Sequence, residues 1–334
     1  MRMNRKKMIS LLMVGCLCLT AFTGCGSEKN ELLSYRIDFP ADTAGQGSGA
    51  SQGYLSEGIC VIPKKKQTKK QDSIMGSKAS LAVNDTDGTM LYSHNIYKKV
   101  YPASITKIVT ALVALKYGNL DDVVTVSYNA SHITEYGAKL CGFLEGDQIV
   151  LRDLLSSFLV CSGNDAGIAI AEHIAGDEKE FADMMNQEMQ DLGAVHSHFV
   201  NSHGLHDKNH YTTAYDLYLV FHELVKNQAF MDIVGQPSYT AKFKKKNGKK
   251  KKLYFLSTDR YLIGRAKAPE GMTVLGGKTG TTFDAGSCLI LYSRDDNGKY
   301  YITVVLKADG GDVLYAQMNH LLQKCAKNEV SLRQ

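Results

Sequence analysis

The sequence predicts an α+β layered domain. Strand-like segments sit at both ends of the folded region, residues 151–230 read as helical between them, and a closing helix follows the last strand. Runs of strands and runs of helices, rather than strict alternation, indicate helices layered on a sheet. The first strands are residues 79–83 and 90–93, which flank Asn84-Asp-Thr-Asp-Gly88 as a hairpin. A helix over residues 103–117 follows, with Pro102 before it and Gly118 after it. Its apolar residues Ile108, Val109, Ala111, Leu112, Val113 and Leu115 nearly surround it, which marks a buried helix. Residues 151–160, 165–175, 177–192 and 213–226 make the helical block; the third opens on an Asp-x-x-Glu capping box and stops at Gly193. Residues 239–246 and 249–256 flank Asn247-Gly248, a strong hairpin signal, and their lysines suit a ribbon projecting into solvent. Strands at 274–277, 287–293 and 300–306 and a helix at 313–327 complete the chain.

The folded region is preceded by two segments of different character. Residues 1–25 combine a basic stretch (Arg2, Arg5, Lys6, Lys7) with an apolar run from 8 to 22 that is short for a membrane span. The run ends Ala21-Phe22-Thr23-Gly24-Cys25, a small residue just before a cysteine. This resembles a bacterial lipoprotein signal, which implies export and lipidation at Cys25; an ordinary secretory signal cut nearby is the alternative. Residues 26–76 are rich in Gly, Ser, Gln and Lys without a sustained period and read as a flexible tether. The remainder, residues 77–330, is long enough for one large domain.

Removing residues 1–25 lowers the formal charge from +5 to +1, so the chain is not basic as a whole. Its lysines are clustered, at 64–66, 69 and 70 and again between 242 and 252, which holds eight. Solvated charge is the simplest reading; attraction to anionic lipids or wall polymers is the other. Nucleic acid does not fit an exported chain. Of eight cysteines, Cys16, Cys18 and Cys25 fall in the leader, and the remaining five include no C-x-x-C pair. No disulfide framework is expected.

Three motifs carry the chemistry: Ser104-Ile-Thr-Lys107, Ser162-Gly-Asn164 and Lys278-Thr-Gly280. A serine and a lysine three apart share a helix face and can touch. A serine needs an adjacent base to act as a nucleophile, and a lysine neutralised by burial can be that base. The other motifs add a hydroxyl, an amide and a second amine. Each alone is weak, but all three in this order are a signature of serine acyltransferases.

With these motifs, residues 77–328 resemble the serine-type D-alanyl-D-alanine carboxypeptidases, the low-molecular-weight penicillin-binding proteins. Asn201-Ser-His-Gly204 with His210 and Thr213-Ala-Tyr-Asp216, and Gly277-Lys-Thr-Gly-Thr-Thr282 with Ala285-Gly-Ser-Cys288, are similar to that family's later segments. The resemblance implies a serine β-lactamase/DD-peptidase-like fold, an antiparallel sheet flanked by helices with an inserted helical block. It also implies Ser104 as acylated nucleophile, Lys107 as its base and Ser162 as proton relay. Asn164, Lys278, Thr279, Gly280 and Thr281 would bind substrate, with the Ser104 and Thr281 amides as oxyanion hole. The partners so implied are peptidoglycan stem peptides ending in D-Ala-D-Ala, β-lactams, and the membrane through the lipid. No cofactor and no metal is expected: histidines 196, 198, 203, 206 and 210 have permissive spacing but fall within the matched segment.

One departure stands out. The family commonly carries an arginine before the last helix to grip the substrate carboxylate, whereas this chain has Lys307-Ala-Asp-Gly-Gly-Asp312, leaving Lys307 as the substitute charge. Two rival functions remain. A serine β-lactamase of the same fold would need a deacylating glutamate, and residues 195–213 contain none. A non-catalytic lipoprotein that binds penicillin or peptide would not need all three motifs.

Overall fold

Two antiparallel sheets organise residues 76–328, the part of the chain that the computed structural model describes. The leader, Cys25, Cys60 and all of the tether but Gly76 lie outside the described residues. The larger sheet contains β1 (Ala79–Asn84), β2 (Thr89–His94), β7 (Met272–Thr282), β8 (Gly286–Asp295) and β9 (Tyr300–Ala308) in the order β2-β1-β9-β8-β7. β7 is therefore an edge strand, paired only with β8 from Met272↔Asp295 to Thr282↔Gly286.

Strand alternation splits the sheet's side chains between two cores. Ile290, Ile302, Val304 and Leu306 join Leu81 and Val83 in the core shared with the helical block. Leu289, Leu291, Tyr301 and Val305 face the other way, onto α8 (Gly311–Ala326) through Leu314, Met318, Leu321 and Leu322.

The helical block surrounds α1 (Thr106–Tyr117), whose residues 106–115 are all buried, as its all-round apolar pattern requires. A 3₁₀ turn, Ala103–Ile105, leads into it. Around it lie α3 (Leu151–Cys161), α4 (Asn164–Ala175), α5 (Glu178–Asp191) and α6 (Ala214–Leu224). The Asp177 carboxylate caps α5 by accepting the Glu180 amide at 2.8 Å, as the Asp-x-x-Glu pattern predicts. Two further helices, α2 (Tyr128–Ser131) and α7 (Gln228–Val234), carry no strong periodic signal because they are short.

The lysine-rich hairpin departs from expectation. β5 (Ser238–Lys244) and β6 (Lys250–Leu256) turn at Asn247-Gly248 as predicted, but they are not a free ribbon. β5 also pairs with β4 (Gln148–Val150), which pairs with β3 (Val123–Thr125), giving a second sheet in the order β3-β4-β5-β6. Ala241, Phe243 and Phe255 anchor it in the core.

Candidate active site

The three motifs meet where α1, α3 and α4 reach edge strand β7. Ser104 sits in the 3₁₀ turn before α1, Lys107 lies one turn further on, and their side chains are 3.2 Å apart. Ala103, just before the serine, has φ of +47°, a left-handed conformation that costs a non-glycine residue energy and clusters at working sites. Ser162 also has positive φ, +68°, where α3 ends; this turn aims its hydroxyl back across the cleft.

Lys107 is fully buried (0% exposed), and its Nζ makes three contacts. It donates to Asn164 Oδ1 at 2.7 Å and to the His203 carbonyl at 2.6 Å, and lies 3.2 Å from Ser104 Oγ. A carbonyl and an amide oxygen only accept, so two amine hydrogens are committed. A neutral amine then has its lone pair left for the third partner, the Ser104 hydroxyl proton. Burial, reinforced by the positive charge of Lys278, holds the amine's pKa well below its ordinary value and favours that neutral form.

Lys278 is 1% exposed and donates to Ser162 Oγ at 3.0 Å and to the Thr279 carbonyl at 2.9 Å. Burial, then the nearby Lys139, pulls its pKa down to about 7. The third motif thus aims its amine at the second motif's hydroxyl, while the Thr279 hydroxyl meets that of Thr258 at 2.5 Å. Gly280 is dictated by close approach: a Cβ there would lie 2.9 Å from the Pro102 carbonyl oxygen and 3.0 Å from the Ser104 nitrogen. Only glycine lets β7 press against the serine turn.

Ser104, Ser162, Thr279, Gly280 and Thr281 line one cleft of ≈ 280 Å³. The positions expected from the sequence to bind substrate are thus in or beside it, with Lys107, Asn164 and Lys278 on its buried side.

Several contributors escape a sequence reading. Asp165, next to the second motif, accepts the amides of Cys141, Gly142 and Phe143 at 2.8, 2.8 and 3.2 Å. That pins the loop that brings Lys139 to the cleft, and the Lys139 carbonyl accepts the Asn164 amide at 2.7 Å. A cation that the sequence reading did not single out also reaches the cleft. Arg260 lines the cleft, reaching it from the segment after β6, while Lys307 lines two neighbouring surface pockets. The Arg260 guanidinium donates to Asp312 at 2.7 Å and stacks over the Tyr315 ring, 5.0 Å from its centroid. Gly311 leaves the room: a Cβ there would be 2.6 Å from Arg260 Nη2. No local signal marks this arginine.

The histidines at 198, 203 and 210 take separate partners. His210 Nε2 meets the Thr106 hydroxyl at 2.7 Å, and burial lowers its pKa to about 3, so it is neutral. His198 Nδ1 meets the Asn209 carbonyl at 2.7 Å, and His203 Nε2 lies 3.5 Å from Glu178. Cys161 is a buried thiol, as are Cys141, Cys288 and Cys325, and none of these four is in a disulfide.

Comparison with known proteins identifies the family and the fold. The peptidase S11 family model, described as D-alanyl-D-alanine carboxypeptidase, matches residues 65–310. D-alanyl-D-alanine carboxypeptidase DacF of Bacillus subtilis is 32% identical over 264 residues, 77% of this chain and 64% of the relative. A D-alanyl-D-alanine carboxypeptidase of Streptomyces strain K15 is 30% identical over 234 residues, 67% of this chain and 78% of the relative. The crystal structure of the Streptomyces K15 DD-transpeptidase superposes with a TM-score of 0.70 at 26% identity, covering 76% of this chain and 98% of that one. The fold is therefore that of the DD-peptidases, as expected, while the chain spans a little under two thirds of the length of the DacF relative.

Proposed function

The chain belongs to the D-alanyl-D-alanine carboxypeptidase family, and from that premise we propose that it removes the terminal D-alanine from peptidoglycan pentapeptide stems through an acyl-enzyme on Ser104. The observation that supports this most is the Lys107 amine, buried, depressed in pKa and facing the serine hydroxyl with both its hydrogens engaged elsewhere. Ser104 Oγ attacks the carbonyl between the two D-alanines as its proton passes to Lys107 Nζ. The developing oxyanion is held by the Ser104 and Thr281 amides, each such donor being worth about 3–4 kcal/mol. Ser162 passes its proton to the departing D-alanine nitrogen and is reprotonated by Lys278; water then attacks the ester, its proton going to Lys278, while Lys107 returns the proton it took to Ser104 and the shortened peptide leaves.

Labelling with a fluorescent penicillin and following the label over time tests this reading against its rivals. Persistent label with D-alanine release supports it. Rapid loss of label means a β-lactamase, and no label means a non-catalytic binder. The cleft favours persistence, since among the described residues its lining holds hydroxyls, amides and cations but no carboxylate.

Arg260 is the grip for the substrate's terminal carboxylate, with Thr279 beside it and Asp312 fixing one edge of the fork. Arg260→Leu is expected to raise KM for a D-Ala-D-Ala peptide on the order of tenfold to a hundredfold, the worth of one charge-assisted hydrogen bond or two. Turnover of an otherwise equal ester donor without the carboxylate stays at the parent level. Equal losses on both donors would reduce Arg260 to a structural part.

The lipoprotein reading of residues 1–25 places the enzyme at the outer face of the cytoplasmic membrane, held by lipid on Cys25. Two acyl chains at about 0.8 kcal/mol per buried CH₂ suffice for stable anchoring. Cys25→Ser should make the protein releasable from the membrane fraction by high salt, with activity on soluble peptide unchanged. Retention in the membrane fraction at high salt would refute the anchor.

A further inference from the structure

The outer face of the four-stranded sheet carries charge that the catalytic reading leaves unused. Register on β5 and β6 sets Lys242 directly opposite Lys252, and Lys244 directly opposite Lys250. All four are exposed and share one face by the two-residue alternation of each strand. Like charges directly opposed across an antiparallel pair destabilise it. No salt bridge relieves any of the four among the described residues. The acidic groups closest to these strands are engaged: Glu145 pairs with Lys246 at 2.9 Å, and Asp153 accepts the Tyr239 hydroxyl and the Lys242 amide. Gln148, opposite Lys244 on β4, adds no charge.

The same face is not purely polar. Tyr254, Leu256 and Val123 are 64%, 50% and 58% exposed, and Tyr254 and Leu256 continue the row that begins with Lys250 and Lys252. A cleft of ≈ 550 Å³ runs over these strands, with apolar walls from Val123, Val150 and Phe243 and the lysines around it. A sheet that keeps four opposed lysines beside exposed apolar side chains is arranged for an anionic partner that also offers an apolar phase.

We propose that this face docks on a membrane surface rich in anionic phospholipid headgroups. Phosphates would separate the opposed lysines electrostatically, while Tyr254, Leu256 and Val123 reach the headgroup–acyl boundary, where amphipathic rings and apolar tips are favoured. A hydrated phosphodiester polymer would satisfy the lysines equally but leave those three apolar side chains in water, which is why the lipid surface is the better fit. The inference is independent of the acylation chemistry and of any lipid on Cys25.

The test uses the full chain carrying Cys25→Ser, so that no acyl anchor contributes, sedimented with vesicles of phosphatidylglycerol and phosphatidylcholine or of phosphatidylcholine alone. The parent should prefer the anionic vesicles, and the preference should vanish near 1 M salt, where the screening length is about 3 Å. Lys242→Gln/Lys244→Gln/Lys250→Gln/Lys252→Gln should lose on the order of a thousandfold in partitioning. Its melting temperature should be equal or higher, because the opposed charges are gone. Tyr254→Ser should lose a further severalfold with the salt dependence unchanged. Parent-like partitioning by the quadruple variant would overturn the proposal and point to the lysines at 64–70. Equal binding to soluble polyglycerol phosphate, with no effect of Tyr254→Ser, would overturn it in favour of a wall polymer.

Discussion

A Ser104→Ala variant is expected to take up no covalent penicillin and to release D-alanine from a pentapeptide at no more than about 10⁻⁴ of the parent rate. Removing an activated serine leaves only the residual catalysis of oriented binding and the oxyanion donors. The loss cannot be ascribed to unfolding. Ser104 is half-buried at the cleft, and the hydrogen bond of its side chain, at 3.2 Å to Lys107, is worth about 1 kcal/mol. Mass spectrometry of the penicillin adduct makes the result specific, because a competing nucleophile lies close by. Cys161 precedes Ser162, and its thiol is drawn down to about 7, first by its hydrogen bond with Cys141 and then by Lys139. If the adduct persists in Ser104→Ala and disappears in Cys161→Ala, the nucleophile is the thiol and the serine assignment is wrong.

How much of this site was legible in the sequence follows from how local each part is. The motif residues were, because each motif is a contiguous turn: the serine and lysine need only one helical turn to meet, and Gly280 follows directly from its strand. α1 was legible because a helix apolar on every side has no stable place except a core. The second sheet was not. β3 and β4 have three residues each, too few for a two-residue alternation to register, and β4 meets β5 across some 90 residues of chain. Without them, lysine-rich β5 and β6 looked like a solvent-facing ribbon. Arg260 was hidden for the same reason. It lies in an aperiodic segment, and only packing of Tyr315 and Asp312 at the start of α8 directs it to the cleft. Lys307, nearer to the expected arginine in sequence, has φ of +54° and donates its amide to the Cys288 sulfur instead.

Lys107→Met tests the step on which the proposed chemistry depends. Met fills nearly the same volume as the buried lysine stem but offers no lone pair, so acylation by penicillin should fall by about 10²–10⁴-fold, the usual cost of losing a general base. Two opposing terms bear on stability. The Asn164 amide oxygen and the His203 carbonyl lose their donor, costing about 1–3 kcal/mol each if they stay unsatisfied. Against this, the variant is freed from burying an amine beside Lys278, whose repulsion adds to the desolvation that depresses Lys107. The melting temperature should therefore stay close to that of the parent, and the lost rate is chemical. The pH dependence separates a base from a merely structural lysine. Below its depressed pKa Lys107 is protonated and its lone pair is gone, so parent acylation falls as pH falls through that value. Lys278, with a pKa of about 7, does the reverse: its positive charge is present below that point and lost above it. The parent should show a bell, with Lys107 setting the acidic limb and Lys278 the alkaline one, and the substrate carboxylate shifting the latter upward. In Lys107→Met the acidic limb should vanish while the alkaline one remains. An unchanged bell at reduced height would mean that another group, Ser162 through Lys278, takes the serine proton.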